Sequence, residues 1–369
     1  MLLHGIFPPL ATPFHPDGNV YFKKLEHNVE HYSRTPAVGI VVLGSTGEAV
    51  MLSDEERRDV LKSAREPAAA NKVLIAGTGL ESAIETLRLT EFAAERGYDV
   101  ALVRTPHFYR PQLAPASILA FYRTVADRSP LPVLLYNVPG FTGYDLPVEL
   151  VVELADHPNI IGIKESGGDV EKVRKMVAGT RHIKRTATVT ETFEAVTPRM
   201  LSAAAQSTNG GGRELVQVGL LAGTEASLQS SQPTTTVTKA SSSAVTLVGK
   251  MKTRKKEVGF QVLVGAAHKF HASLEAGAIG GILGFACPAP TACYEIYAAW
   301  KEGDAALAAL KQERIAKAST RIVGQLGIPA IKYGMDFNGY YGGPSRLPLL
   351  PLTGEAKMEV EELLADIRN

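Results

Sequence analysis

Within NIIGIKESGG (residues 159–168) a single lysine, Lys164, ends a segment that otherwise reads as a buried strand. A charge in such a segment is costly unless something compensates it. Strand alternation places residues 160, 162 and 164 on one face and 161, 163 and 165 on the other, so Glu165 faces away from Lys164. Gly162, one step along the shared face, leaves room beneath the amine. A free lysine has a pKa of roughly 10.4 and is a weak nucleophile at neutral pH, and burial disfavours its ammonium form. The neutral amine attacks a carbonyl and forms a Schiff base. The protonated imine is then an electron sink for making or breaking a bond at the adjacent carbon. The competing reading is a lysine paired with a carboxylate in a polar layer, and position alone does not choose between the two.

Two further segments carry chemistry. LPVLLYNVP is another apolar run with a polar group near its end, Tyr136. A phenol there can relay protons to and from a carbinolamine and a substrate hydroxyl. Its alternative is a core tyrosine with a satisfied hydroxyl. LGSTGEAV is a glycine-flanked turn whose backbone N–H groups can form an anion nest, with the hydroxyls of Ser45 and Thr46 beside it. A 2-oxo acid carboxylate fits such a turn. A plain strand-to-helix loop is the alternative.

These residues need a frame that brings them together. The runs AVGIVVLG, KVLIAGTG, DVALVRTP, LPVLLYNVP and NIIGIKES are continuously apolar, as suits strands covered on both faces. Segments between them read as helices: Ser53 caps SDEERRDVLKSARE, and Gly97 follows SAIETLRLTEFAAER. The run ends recur about every 30 residues, the length of a strand plus a crossover helix. With GIFPPLATPF before them and FQVLVGAA and AIGGILGFA after, eight strands are predicted, the count of a (β/α)8 TIM barrel, an α/β fold. In that barrel Lys164 and Tyr136 sit on neighbouring strands at the top, where barrel enzymes carry catalytic groups. A doubly wound sheet is the alternative. GTGLES does not complete a dinucleotide fingerprint.

Composition excludes several classes. The chain has 369 residues, 45% hydrophobic, and a net charge of +1, so neither nucleic acid nor an anionic membrane is an expected partner. It has two cysteines, too few for a disulfide framework or a four-cysteine metal site, and both are expected as reduced thiols. No apolar run is long enough to span a membrane. MLLHGIFPPLATPF reads as a first strand, not a targeting segment. The expected location is cytoplasmic. His268 and His271 lie three apart without further ligands, so no metal site is expected.

One gap breaks the rhythm. From Lys164 to Gly265 the chain is about 70 residues longer than one strand–helix unit requires. The excess, at about 182–252 between helix 6 and strand 7, is rich in Ser, Thr, Gly and Gln. No Phe, Trp or Tyr lies between Phe193 and Phe260. Such a segment buries little, so much of it is expected to be disordered and to lie at the bottom of the barrel. A tolerated insertion, sequence that splicing should have removed, and a partner-binding arm are the three readings. Its basic run KMKTRKKE is expected to be solvated. The domain reading is a barrel over 1–290, interrupted by this insertion, and a C-terminal helical region over 291–369.

GSTGE, YNVP and GIKES, in this order and spacing, resemble the dihydrodipicolinate synthase / N-acetylneuraminate lyase family of class I aldolases. The resemblance covers nearly the whole chain except the insertion. It implies a barrel, usually a homotetramer, that binds pyruvate or a pyruvate-yielding 2-oxo acid as a Schiff base without a cofactor. It makes Lys164 the imine-forming residue, Tyr136 the proton relay, and Ser45 and Thr46 the carboxylate holders. Gly265 and Ile282 match backbone positions lining the site. KESGGDVEKV, FQVLVGAAHKF and GIPAIKYGMDFNGYYGGPSRLPL look closest to 4-hydroxy-2-oxoglutarate aldolase, with 2-keto-3-deoxy sugar acid aldolases as relatives. Two positions depart from the pattern. Dihydrodipicolinate synthases carry an arginine just after YNVP, where this chain has Phe141. Many members have a tyrosine reaching into the neighbouring subunit's site where this chain has Phe108, so water, His107 or Tyr109 must substitute or the rate changes. The expected activity is cleavage of a 4-hydroxy-2-oxo acid to pyruvate and an aldehyde. A synthase-like condensation, a 2-oxo acid dehydratase and a non-catalytic 2-oxo acid-binding barrel are the alternatives.

Overall fold

The structure is a computed structural model that describes residues 1–190, 194–206, 246–248 and 251–367. In chain order its strands are β1 Gly5–Ile6, β2 Gly39–Val42, β3 Val73–Gly77, β4 Val100–Arg104, β5 Val133–Asn137, β6 Ile160–Glu165, β7 Arg185–Thr190, β8 Thr246–Val248, β9 Met251–Val258, β10 Gln261–Val264 and β11 Gly280–Gly281. Eight form one parallel sheet in the order β1-β11-β10-β6-β5-β4-β3-β2. The sheet closes on itself: Pro9 bridges Val41, and Val38 N–H donates to the Ile6 carbonyl at 3.0 Å. This is the (β/α)8 barrel, and each of the eight predicted runs supplies one strand.

The helices follow the sequence signals. Ser53 and Glu56 form a reciprocal capping box on the helix Asp54–Arg65: Ser53 Oγ accepts from Glu56 N–H at 3.1 Å, and Glu56 Oε2 accepts from Ser53 N–H at 2.9 Å. Gly97, past the helix Ala83–Glu95, has φ of +78°, which glycine adopts without the steric cost a Cβ would bring. Side chains on the outer strand faces and the inner helix faces form one apolar core running from Ile6 to Ile367.

After β11 the helices Pro290–Lys301, Ala305–Ser319, Ile328–Phe337 and Gly354–Leu364, with a π-turn at Thr320–Leu326, extend the chain. They belong to one compact unit with the barrel, comprising Leu3–Lys184 and Gly259–Asn369. A second unit comprises Met1–Leu2 and Arg185–Val258.

That second unit holds most of the insertion, much of which is expected to be disordered and lies outside the described residues. Its described residues form an antiparallel sheet in the order β7-β9-β8 and a helix, Pro198–Gln206. β7, RTATVT, alternates: Ala187 and Val189 are buried between threonines. The basic run forms β9, where Thr253 is buried while Lys252 and Lys255 remain exposed. Alternating β-branched residues build a small sheet without aromatic residues. The remainder of the insertion, residues 191–193, 207–245 and 249–250, lies outside the described residues. Arg185 pairs with Val258, so the insertion leaves and returns at one point.

Candidate active site

β5 and β6 run in register so that Tyr136 pairs with Lys164, and β10 adds Leu263 on the far side of Lys164. In-register partners on parallel strands point to the same face, so the phenol and the amine share the barrel interior. Lys164 is 4% exposed and Tyr136 5%. The amine nitrogen lies 4.1 Å from the centre of the Tyr136 ring. The Tyr136 hydroxyl reaches across to Ser45 Oγ at 3.0 Å. Amine, phenol and hydroxyl therefore form one connected line from the strand ends to the β2 turn.

Glu165 faces the helix layer, as alternation requires. Its carboxylate accepts from Asn137 Nδ2 at 2.8 Å and lies 3.6 Å from the Lys172 ammonium on the helix Val170–Gly179. Burial pushes the Glu165 carboxyl above the usual range, and Lys172 pulls in the other direction. The carboxylate beside Lys164 in sequence is thus committed to Asn137 and Lys172. The room left by Gly162 is taken up: a Cβ there would overlap the carbonyl oxygen of Gln261, whose side chain accepts from Leu3 N–H at 2.7 Å.

The β2 turn is held in an unusual shape. Ser45–Gly47 is one 3-10 turn, so the Ser45 and Thr46 N–H groups are not consumed inside it. Leu43 and Glu48, which flank it, have φ of 61° and 54°. Left-handed backbone in a non-glycine residue persists only where the surroundings impose it. Glu48 is buried and anchored at both oxygens. Oε1 accepts from Lys332 Nζ at 2.7 Å, and Oε2 accepts from Arg346 N–H at 2.9 Å. Lys332 is itself fully buried, and its ammonium also donates to the carbonyls of Thr12 and Pro344. Burial pushes the Lys332 amine down, and Glu48 opposes that shift. The Arg346 guanidinium binds Glu56 and the carbonyls of Gly18 and Met51. The C-terminal segment is thereby tied to the turn that carries Ser45.

An open cleft of about 740 Å³ lies outside this line. Ser45, Arg57, Arg104, His107, Phe108 and Phe141 are among its walls. His107 and Phe108 follow β4, and both of their N–H groups donate to Glu81 Oε2, at 2.9 and 3.0 Å. Phe108, Tyr109 and Phe141 are largely exposed. Tyr109 packs edge-on against Phe108 but does not line the cleft. Thr46 is half-buried in the turn beside Ser45. Gly265 and Ile282 sit just past β10 and β11: Gly265 N–H donates to the Glu165 carbonyl at 2.8 Å, and Ile282 N–H to that of Val264 at 2.9 Å. Among the described residues no group of three metal-ligating side chains converges, and no helix is long and apolar enough to cross a membrane.

Sequence reasoning overlooked Arg57, Arg104 and the Glu48–Lys332 pair. Arg104 carries the same signal as Lys164, a charge closing an apolar run in DVALVRTP. The other two meet their partners only through tertiary closure.

The 4-hydroxy-tetrahydrodipicolinate synthase of Xanthomonas campestris pv. campestris is 45% identical over 178 residues, which are 48% of this chain and 58% of that protein. The chain thus spans less than two thirds of the length of the curated relatives it matches here. A dihydrodipicolinate synthetase from Pseudomonas aeruginosa, described as putative in its crystal structure, shares the fold, with a TM-score of 0.74 at 23% identity and full coverage of both chains. The dihydrodipicolinate synthase of Acinetobacter baumannii, solved in complex with pyruvate, superposes with a TM-score of 0.73 at 26% identity over 99% of each chain. The model of the dihydrodipicolinate synthetase family matches residues 2–216 and 226–367. Because those residues supply every strand of the barrel, the chain belongs to the dihydrodipicolinate synthetase family.

Proposed function

We propose that the chain is a Schiff-base-forming class I aldolase that cleaves a 4-hydroxy-2-oxo acid into pyruvate and an aldehyde. The observation that carries this reading is the Lys164 amine 4.1 Å from the Tyr136 ring, whose hydroxyl bonds Ser45. Lys164 attacks C2 of the substrate, and the carbinolamine loses water to give a protonated imine. Tyr136 takes the proton from the C4 hydroxyl as the C3–C4 bond breaks. The electron pair moves into the imine to form an enamine, and the aldehyde leaves. Protonation at C3 and addition of water then release pyruvate and restore the amine. Ser45, Thr46 and the free N–H groups of their turn hold the C1 carboxylate, and the backbone at Gly265 and Ile282 lines the site. Pyruvate bound in the Acinetobacter baumannii relative supports a 2-oxo acid ligand.

A second reading, a synthase-like condensation of pyruvate with an aldehyde, is favoured by the name of the 45% identical relative. Against it stands Phe141, where the resemblance calls for an arginine. The proposed assembly is a homotetramer, with the exposed Phe108 and Tyr109 at a subunit contact. Cys287 and Cys293 are buried free thiols, which suits the cytoplasm. Borohydride reduction in the presence of pyruvate tests the reading. A mass adduct on Lys164, lost in Lys164→Ala, supports it; a folded protein without adduct rejects it. A substrate panel then separates cleavage from condensation.

A further inference from the structure

Two arginines in the cleft have no part in the reaction above. Arg104 ends β4 and pairs with Tyr136, which pairs with Lys164. Three successive strands therefore present guanidinium, phenol and amine at one level on one face. Arg57, from the helix Asp54–Arg65, lines the same cavity as Arg104, Tyr136 and Ser45.

Neither guanidinium is used up by the protein. All side-chain hydrogen bonds that Arg104 makes among the described residues run through Nη1, to Glu81 at 2.8 Å, His107 Nδ1 at 2.8 Å and the Thr105 carbonyl at 3.4 Å. Arg57 donates from Nε to the Ala49 carbonyl at 3.1 Å, and among the described residues no carboxylate lies within ion-pair distance of it. The acids around it are engaged elsewhere: Asp54 with Arg58, Glu56 with Arg346, Glu85 with Arg88. Burial, and then the like charge of Arg104, both disfavour the charged form of Arg57, against the pull of Asp54 and Glu56. Glu81 balances one of the two cations. One positive charge is left over, half-buried and with open N–H groups, which is the arrangement that binds a carboxylate.

We propose that Arg57 and Arg104 form a subsite for a second carboxylate, so that the substrate is a 4-hydroxy-2-oxo dicarboxylate. The C1 carboxylate lies at Ser45 and Thr46, and the distal one lies on the two guanidinium groups. This inference rests on the imine chemistry assigned to Lys164. It answers what Phe141 leaves open, since the anion partner comes from β4 and the second barrel helix instead of the loop after β5. Cleavage then yields pyruvate and an aldehyde that keeps the distal carboxylate.

The test compares 4-hydroxy-2-oxoglutarate with 4-hydroxy-2-oxopentanoate, which has the same reacting atoms and a methyl group in place of the distal carboxylate. The ratio of their kcat/KM values isolates the subsite from any change in the common chemistry. Arg104→Leu and Arg57→Leu should each lower that ratio about 10- to 100-fold, the size of a charged hydrogen bond, mainly through KM for the diacid. Arg104→Lys and Arg57→Lys keep the charge and should lose less. An unchanged ratio in both leucine variants overturns the proposal. Borohydride trapping of pyruvate on the same proteins reports the imine separately. If wild-type protein traps nothing, the aldolase reading fails by itself. Calorimetric titration of 2-oxoglutarate then decides the subsite. Binding weakened at least about tenfold by Arg104→Leu supports it; equal binding, or none in the wild type, overturns it.

Discussion

Lys164 and Tyr136 contribute separable things, and their geometry says how to separate them. The ring of Tyr136 packs over the amine, while only its hydroxyl reaches Ser45. Tyr136→Phe keeps the ring, so the pyruvate adduct on Lys164 should still form. Without the relay, kcat for pyruvate release should fall by about 10²- to 10⁴-fold. Loss of the adduct itself would show that Lys164 needs the hydroxyl, and not the ring alone, to form the imine. Gly162 is the matching structural residue. A methyl group there meets the Gln261 carbonyl, which belongs to the backbone of β10 and cannot swing aside. Gly162→Ala should cost about 1–3 kcal/mol in urea unfolding, with disturbance centred on the β6–β10 pair.

At the scale of elements, the β2 turn is shaped by a segment nearly three hundred residues away in sequence. Lys332 and Glu48 form an ion pair with both side chains out of solvent. Removing one partner strands the other charge in a low-dielectric interior. Lys332→Met should therefore destabilise the protein by about 3–5 kcal/mol. Adding Glu48→Gln should return part of that loss, a coupling that a double-mutant cycle measures. The neighbouring Glu56–Arg346 pair makes a pH signature. Arg346 holds the Glu56 carboxyl at about 2, below its ordinary 4.5. The unfolded chain binds that proton more tightly, so the pair's contribution is full above pH 4.5 and fades as pH falls toward 2. Glu56→Gln should flatten that part of the stability–pH curve. Equal slopes in both proteins would remove the pair as the cause. The Glu56 side chain keeps 27% of its surface in solvent, which screens part of the effect.

At the scale of the whole molecule, the insertion enters and leaves at one point. Within the barrel unit the Ile183 carbonyl lies 3.4 Å from where a Cβ on Gly259 would sit. Replacing 185–258 with a short turn therefore demands no stretch of the barrel. The shortened chain should fold, melt cooperatively and still form the Lys164 adduct. An insoluble product would mean that the antiparallel sheet is needed for folding, which rejects the reading of a tolerated insertion. Assembly is tested by sedimentation. A tetramer that Phe108→Ser and Tyr109→Ser convert to smaller species would place those rings at a contact. A monomeric wild type would overturn the proposed homotetramer.

The sequence alone determined the barrel and the level of Lys164 and Tyr136 within it, because both follow from short-range rules. Apolar runs about 30 residues apart specify strand–helix units, and a polar residue at a run's end marks the barrel mouth. In the insertion the composition argument and the threonine–valine alternation of β7 describe different stretches, and only the alternating one lies among the described residues. Only the tertiary structure decided what depends on closure. Glu48 meets Lys332 across 284 positions. Arg57 meets Arg104 because the helix Asp54–Arg65 begins at the rim where β4 ends. No local period encodes such meetings: they arise when the sheet curls until its first and second strands join, and that geometry belongs to the closed barrel as a whole.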